Sequence, residues 1–216
     1  MVKLPKSFGL IAPFATWMVL MAALPATATA YAVRTAVTAA LLAAGWRQVL
    51  KTLDIRRETR LPSNVLSPLK PFVSRLKSSL LPGLAVGLAV FVLWILPEQF
   101  DWAWYRKWCI IGEGGTQAVA EASAAMIAVR LVGSAFVISV AEELFFRKWL
   151  IGFAGFWWMV ALFAIEHDRW LVGAVAGIAY GLLYLRKGLL AAIVAHVTTN
   201  LVLGLWVLKT GQWQFW

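Results

Sequence analysis

Cysteine, histidine and charged residues are all scarce in this sequence, and each shortage excludes something. The single cysteine, Cys109, rules out a disulfide within the chain and reads as an inert thiol. Only two histidines are present, His167 and His196, and no His-Glu-x-x-His occurs, so the chain is not a zincin. Charged residues make up 14% of the 216 positions, against roughly 25% in an ordinary globular chain. A disordered chain would show the opposite balance, rich in charge and poor in apolar groups. Acidic residues are the scarcer kind, ten against twenty Lys and Arg, which leaves a net charge of +10.

What fills the space is apolar. Hydrophobic residues reach 62% without counting Gly, and there are 13 Trp and 12 Phe, an aromatic load suited to membrane interfaces. A water-soluble fold of this length could not hide so much apolar surface. The composition predicts an all-α, polytopic bundle of transmembrane helices in a single domain, residues 1–216. The N-terminal helices occupy 1–110 and a second helical core 118–208.

Apolar runs fall at Phe8–Leu24, Tyr31–Ala44, Leu80–Leu96, Ala118–Val140, Phe153–Ile165, Trp170–Leu185 and Leu189–Leu208. A span needs about 20 residues, so the second and fifth are short, and seven spans is the best count. Lipid offers no partners for backbone groups, and nothing alternates as barrel strands do, so the runs read as helices. Lys3, Lys6, the first run and the small residues Ala26–Ala30 also resemble a signal peptide. Pro13 within the run and the immediate onset of the second favour a retained first helix.

The basic excess is not spread evenly. Arg47, Lys51, Arg56, Arg57, Arg60, Lys70, Arg75 and Lys77 crowd residues 46–79, opposed by Asp54 and Glu58 alone. Between apolar spans this is the positive-inside signal, which places the segment in the cytosol beside anionic lipid and speaks against nucleic acid as a partner. Within it Trp46, Val49, Leu50 and Leu53 share one helical face, as in a helix lying on the membrane surface. Glu98, Asp101, Glu113 and Glu121 outnumber Arg106 and Lys107 after the third run, which suits the outer face. Arg147-Lys148 and Arg186-Lys187 then fall inside, and the expected orientation is N-terminus in, C-terminus out. Arg34 lies near the end of its run and can snorkel to water. Arg130 lies deeper and calls for a carboxylate partner.

Beyond residue 110 the chain has only six carboxylates and two histidines. Glu142 and Glu143 open Glu-Glu-Leu-Phe-Phe-Arg; Glu143 and Arg147, four apart, share a helix face and can pair. Glu142 is turned about 100° from Glu143 and can address something else. His167 follows Phe163 by four in Phe-Ala-Ile-Glu-His, where Glu166, Asp168 and Arg169 also suit a plain polar turn. His196 and Asn200, four apart in His-Val-Thr-Thr-Asn, project from one face of the last run. With turns near Gly152 and Gly188 as zero and a rise of about 1.5 Å per residue, Glu142 and Glu143 lie roughly 13–15 Å deep. On the same scale His196 lies about 12 Å deep, Asn200 about 18 Å and His167 near 20 Å or less. Polar groups at such depth imply a water-filled cavity with a purpose.

These three motifs, Glu-Glu-x-x-x-Arg, Phe-x-x-x-His and His-x-x-x-Asn, in order over residues 130–205, resemble the CPBP family of intramembrane proteases. That family includes type II CAAX prenyl endopeptidases and bacteriocin-processing or immunity proteins. Gly177–Tyr184 looks family-like too, and Val86–Trp94 together with the chain length resembles the branch found beside exosortase sorting systems in Gram-negative bacteria.

The resemblance implies an endopeptidase of the bacterial inner membrane that cuts near the C-terminus of a protein or peptide substrate, with exosortase-system proteins as possible partners. It implies that Glu142 and His167 activate water, that His196 and Asn200 stabilise the oxyanion or hold a metal, and that Glu143 with Arg147 fixes the Glu142 helix. A carboxylate base and an oxyanion donor are what such hydrolysis asks for. Glu142, His167 and His196 would also suit zinc with an open position, and metal use is left open. A non-catalytic scaffold or immunity protein of the same fold, and a conduit for small solutes or protons, are the alternatives.

Overall fold

The computed structural model describes residues 7–45, 47, 49, 69–111 and 123–215. Its elements are helices: α1 Phe8–Ala23, α2 Ala28–Ala44, α3 Leu69–Gln99, α4 Ala103–Cys109, α5 Ala124–Ala154, α6 Phe156–Ile165, α7 Trp170–Lys187 and α8 Leu189–Thr210, with a last 3₁₀ turn at Trp213–Phe215. Among the described residues there is no strand, only an isolated antiparallel bridge between Ile110 and Arg169. Among the described residues three segments are long and apolar enough to cross a membrane, Ser78–Gln99, α5 and α8, while α1, α2 and α6 are apolar but shorter. The seven apolar runs each become a helix, but not seven helices of full spanning length. Glu113, Glu121 and most of the basic segment, including Trp46, Leu50 and Leu53, lie outside the described residues. Val49, assigned to the membrane-facing stripe, is instead 2% exposed and clusters with Leu144 and Leu189.

Two glycines set the helix junctions nearest the site. Gly155 (φ 93°, ψ 170°) ends α5 and Gly188 (φ 88°, ψ 176°) ends α7, each in a backbone region that only glycine occupies readily. Single-residue links of this kind fold α6 back on α5 and α8 back on α7. The first turn is therefore three residues beyond Gly152, which sits inside the helix.

The helix α5 is not a plain α-helix. Gly133–Ile138 and Glu143–Leu150 are π-helical, with Ser139–Glu142 as one α turn between them. A π turn holds an extra residue and so advances less per residue, and such turns recur at functional sites. A uniform rise along α5 therefore overstates the separation between Glu142 and His196.

The most extensive helix pair is α3 with α8. In α3, Gly83 and Gly87 form a small-xxx-small stripe that lets two backbones approach closely. A Cβ on Gly87 would collide with the Ala195 carbonyl and sit 2.7 Å from Thr198 Cβ; one on Gly83 would sit 2.6 Å from Val194 Cγ1. Thr199 Oγ1 also donates across this interface to the Gly87 carbonyl at 2.8 Å. Gly87→Val is expected to lower stability by about 1–3 kcal/mol, the size of a typical overpacking penalty, in reversible detergent unfolding. A wild-type midpoint would show that α3 and α8 are not held at this distance.

Candidate active site

The site is built upward from a buried charge. Arg147 is fully buried in α5, with its guanidinium carbon 4.1 Å from the Phe163 ring centroid and 5.4 Å from that of Tyr180. Glu143, one turn earlier and also fully buried, places Oε1 3.2 Å from Arg147 Nη1. The contact is one of charge, since the guanidinium nitrogens have no hydrogen-bond partner. The aromatic faces supply the second interaction a buried cation needs.

From that pair the polarity is handed to α8. Glu143 Oε1 lies 2.8 Å from His196 Nδ1, so the imidazole is gripped by a carboxylate. The carboxylate is an acceptor, which makes Nδ1–H the donor and turns Nε2 toward Glu142, whose Oε2 is 3.7 Å away. Tyr180 stacks on the same imidazole at 5.0 Å and 25°, and its hydroxyl donates to Thr199 Oγ1 at 2.6 Å. His196 is thus held on one ring face by Tyr180 and at one nitrogen by Glu143, as carboxylate–histidine pairs are oriented elsewhere. Although adjacent in sequence, Glu142 and Glu143 both face this imidazole.

His167 comes from the turn between α6 and α7. Its Nδ1 lies 2.7 Å from the Phe163 carbonyl, which can only accept, so the proton sits on Nδ1 and Nε2 is left as an acceptor. The turn is fastened from outside. Arg169 pairs with Glu98 at 2.5 Å, both buried, and covers the Phe215 ring at 4.7 Å. Ile111 N–H donates to the Asp168 carbonyl at 2.7 Å, and Trp170 Nε1 donates to the Trp108 carbonyl at 2.9 Å. Glu98, expected among the charges of an outer loop, is therefore an anchor of the His167 turn.

Asn200 is tied to α5. Its Nδ2 donates to the Ser134 carbonyl at 3.1 Å and to Ser139 Oγ at 3.0 Å. Ser139 spends its own hydrogen on the same carbonyl at 3.0 Å. Both amide hydrogens are thus engaged in holding the junction between the first π turn and the Glu142 turn, and neither is free for an oxyanion.

Glu142, His167, His196 and Asn200 line one cavity of about 270 Å³. Glu143 and Arg147 lie behind its wall. Sequence reasoning missed Glu166, which lines the same cavity with a buried, unpartnered Oε2. Its only signal was its place before His167, and that was read as a polar turn. The two intramembrane arginines also fall near this cavity. Arg130 lines it, with its guanidinium over the Tyr31 ring at 5.1 Å. Arg34 does not snorkel: it is 8% exposed and lies against Trp17 and Tyr31.

Among the described residues no three His, Cys, Asp or Glu side chains are grouped as ligands of one ion. Glu142, His167 and His196 share a cavity without forming such a set. What the arrangement offers is a carboxylate and two imidazole nitrogens, all acceptors, facing one cavity. That is a constellation for taking a proton from a bound water.

No curated protein and no solved structure matches the chain. Residues 124–202, which carry α5 through the Glu142–His196–Asn200 cluster, match the model of the type II CAAX prenyl endopeptidase Rce1-like family, a membrane protease family that the three sequence motifs resemble.

Proposed function

We propose that this membrane protein is an intramembrane endopeptidase that hydrolyses a peptide bond near the C-terminus of a protein or peptide substrate. The observation that carries the reading is the convergence of Glu142, His167 and His196 on one buried cavity within the segment that matches a protease family. Glu142 is the general base. It takes a proton from a water whose oxygen attacks the scissile carbonyl carbon, while His167 Nε2 accepts the second hydrogen and fixes the water's orientation. His196 Nε2, 3.7 Å from Glu142, receives that proton and, as an imidazolium balanced by Glu143 at the other nitrogen, presents its N–H to the developing oxyanion. Collapse of the tetrahedral intermediate breaks the C–N bond, and the same proton returns through Glu142 to the leaving amine nitrogen. The products are a carboxylate-ended chain and a free amine. In this scheme Asn200 is a positioning residue and Arg147 a structural one.

We read the protein as multi-pass in a bacterial inner membrane, N-terminus in the cytosol, with exosortase-system proteins as the partner class. The basic segment 46–79 and the resemblance at Val86–Trp94 support that reading.

The test is a comparison of C-terminal peptides from membranes that carry wild-type protein with those that carry His196→Ala, quantified by mass spectrometry at matched abundance. A set of truncated C-termini is expected with wild type and lost with the variant. An unchanged set would sink the protease reading and favour a non-catalytic scaffold of this fold.

A further inference from the structure

We propose that Glu166 is the receptor for a cationic side chain, Lys or Arg, on a substrate residue that flanks the scissile bond. The inference rests on the endopeptidase reading and adds to it the residue that sets sequence preference.

Three observations carry it. Glu166 lines the same cavity as Glu142, His167 and His196, so its carboxylate and the proposed hydrolytic groups address one ligand. Its Oε2 is buried without a hydrogen-bond partner, and among the described residues no cation forms an ion pair with this side chain. Arg147 acts on it through space alone, because that guanidinium lies behind the cavity wall, 3.2 Å from Glu143. Glu166 also acts through space on Glu142, which puts it at the hydrolytic end of the cavity. Arg130, the arginine of the lining, stands instead over the Tyr31 ring, twelve positions along α5 from Glu142. Hydrolysis as described leaves Glu166 without a task.

The chemistry of an orphaned carboxylate selects the ligand. An ionised carboxylate can only accept, and burying one without a donor is costly. Glu142 and the Nε2 atoms of His167 and His196 are acceptors too, so the donor must arrive with the substrate. A cation answers best, since charge-assisted hydrogen bonds are about twice as strong as neutral ones. Phe163 and Trp94, whose ring lies 5.4 Å from that of His167, supply aromatic surface for the aliphatic stem and its charge. The register follows from the chain. Glu166 and His167 are consecutive, with Cα atoms about 3.8 Å apart. A side chain that ends on Glu166 therefore belongs to a residue that flanks the bond attacked by the water at His167.

Binding is measured on full-length Glu142→Gln protein in phosphatidylcholine nanodiscs. The probes are two decapeptide libraries randomised over neutral residues, one with lysine at the fifth position and one with norleucine there. About a tenfold preference for the lysine library is expected, the size of one charge-assisted interaction. Glu166→Gln in that background is expected to bring the ratio near one. Should Glu166→Gln fail to fold, Glu166→Asp, which keeps the charge on a shorter stem, is expected to give an intermediate ratio. A ratio near one in the parent protein, or one unmoved by either variant, overturns the proposal. So does saturable zinc binding that Glu166→Gln abolishes with the peptide ratio unmoved, since a metal ion is then the cation. Wild-type protein receives the same libraries, with cut bonds read by mass spectrometry, and cuts beside the lysine are expected. Equal cleavage of both libraries overturns the receptor and leaves the protease reading standing. Wild-type protein that cleaves neither, beside a lysine preference that Glu166→Gln removes, fails the protease reading and leaves the receptor standing.

Discussion

Glu142→Gln is expected to lower peptide cleavage by about 10³-fold, within the range for loss of a general base. Glutamine keeps the shape of the side chain and removes its capacity to take a proton. Glu142 has an unpartnered buried Oε2, so the amide disturbs little else. The measurement is single-turnover cleavage in proteoliposomes at matched protein abundance, with Glu142→Asp as a second variant. Aspartate keeps the carboxylate but withdraws it by one methylene, and an intermediate rate is expected. Wild-type turnover in Glu142→Gln would remove Glu142 from the reaction, whatever its position in the cavity.

The second large effect is on folding. Arg147 and Glu143 are both fully buried. Removing one member of a buried pair leaves the other charge without compensation, a loss of about 3–5 kcal/mol. Arg147→Met is therefore expected to destabilise by that amount in equilibrium unfolding in detergent. Adding Glu143→Gln removes the stranded charge, and much of the stability is expected to return. Activity is not expected to return with it, because Glu143 also holds His196 Nδ1 at 2.8 Å. Recovered stability with absent cleavage separates the two roles of Glu143. If Arg147→Met alone melts as wild type does, the aromatic surroundings, not the ion pair, carry the local stability.

Much of this arrangement is legible in the sequence because lipid makes polar residues conspicuous. The apolar runs locate the helices to within a few residues at most ends, and Gly188 ends α7 where the last turn was read. Glu142, His167, His196 and Asn200 stand out in their runs, and all four line one cavity. What escaped has physical causes. Helical depth was counted at a constant rise, which the π turns of α5 do not obey. Asn200 shares a helix face with His196, but spacing cannot reveal that Ser134 and Ser139 already occupy its amide hydrogens. Glu98 and Arg169 are 71 positions apart, and only folding brings them together. Arg34 could reach water from its place in the run, and the nearness of two aromatic rings decided otherwise.

The π turns of α5 bear on how such a chain can vary. A π turn is what an α-helix becomes when one residue is inserted without lengthening it. Glu142 and Glu143 both reach His196 because α5 carries such extra residues on either side of Ser139–Glu142. Deleting one residue between 133 and 138 would return that turn to α geometry and leave Arg130 in register with Glu142. Deleting Val140, in the α turn between the two π turns, would instead rotate what precedes it by about 100° relative to Glu142 and swing Arg130 and the Ser134 carbonyl away. Substitutions on the outward face of α5, at Val132 or Phe136, meet no such restriction. In this helix the number of residues is under as tight a constraint as their identity.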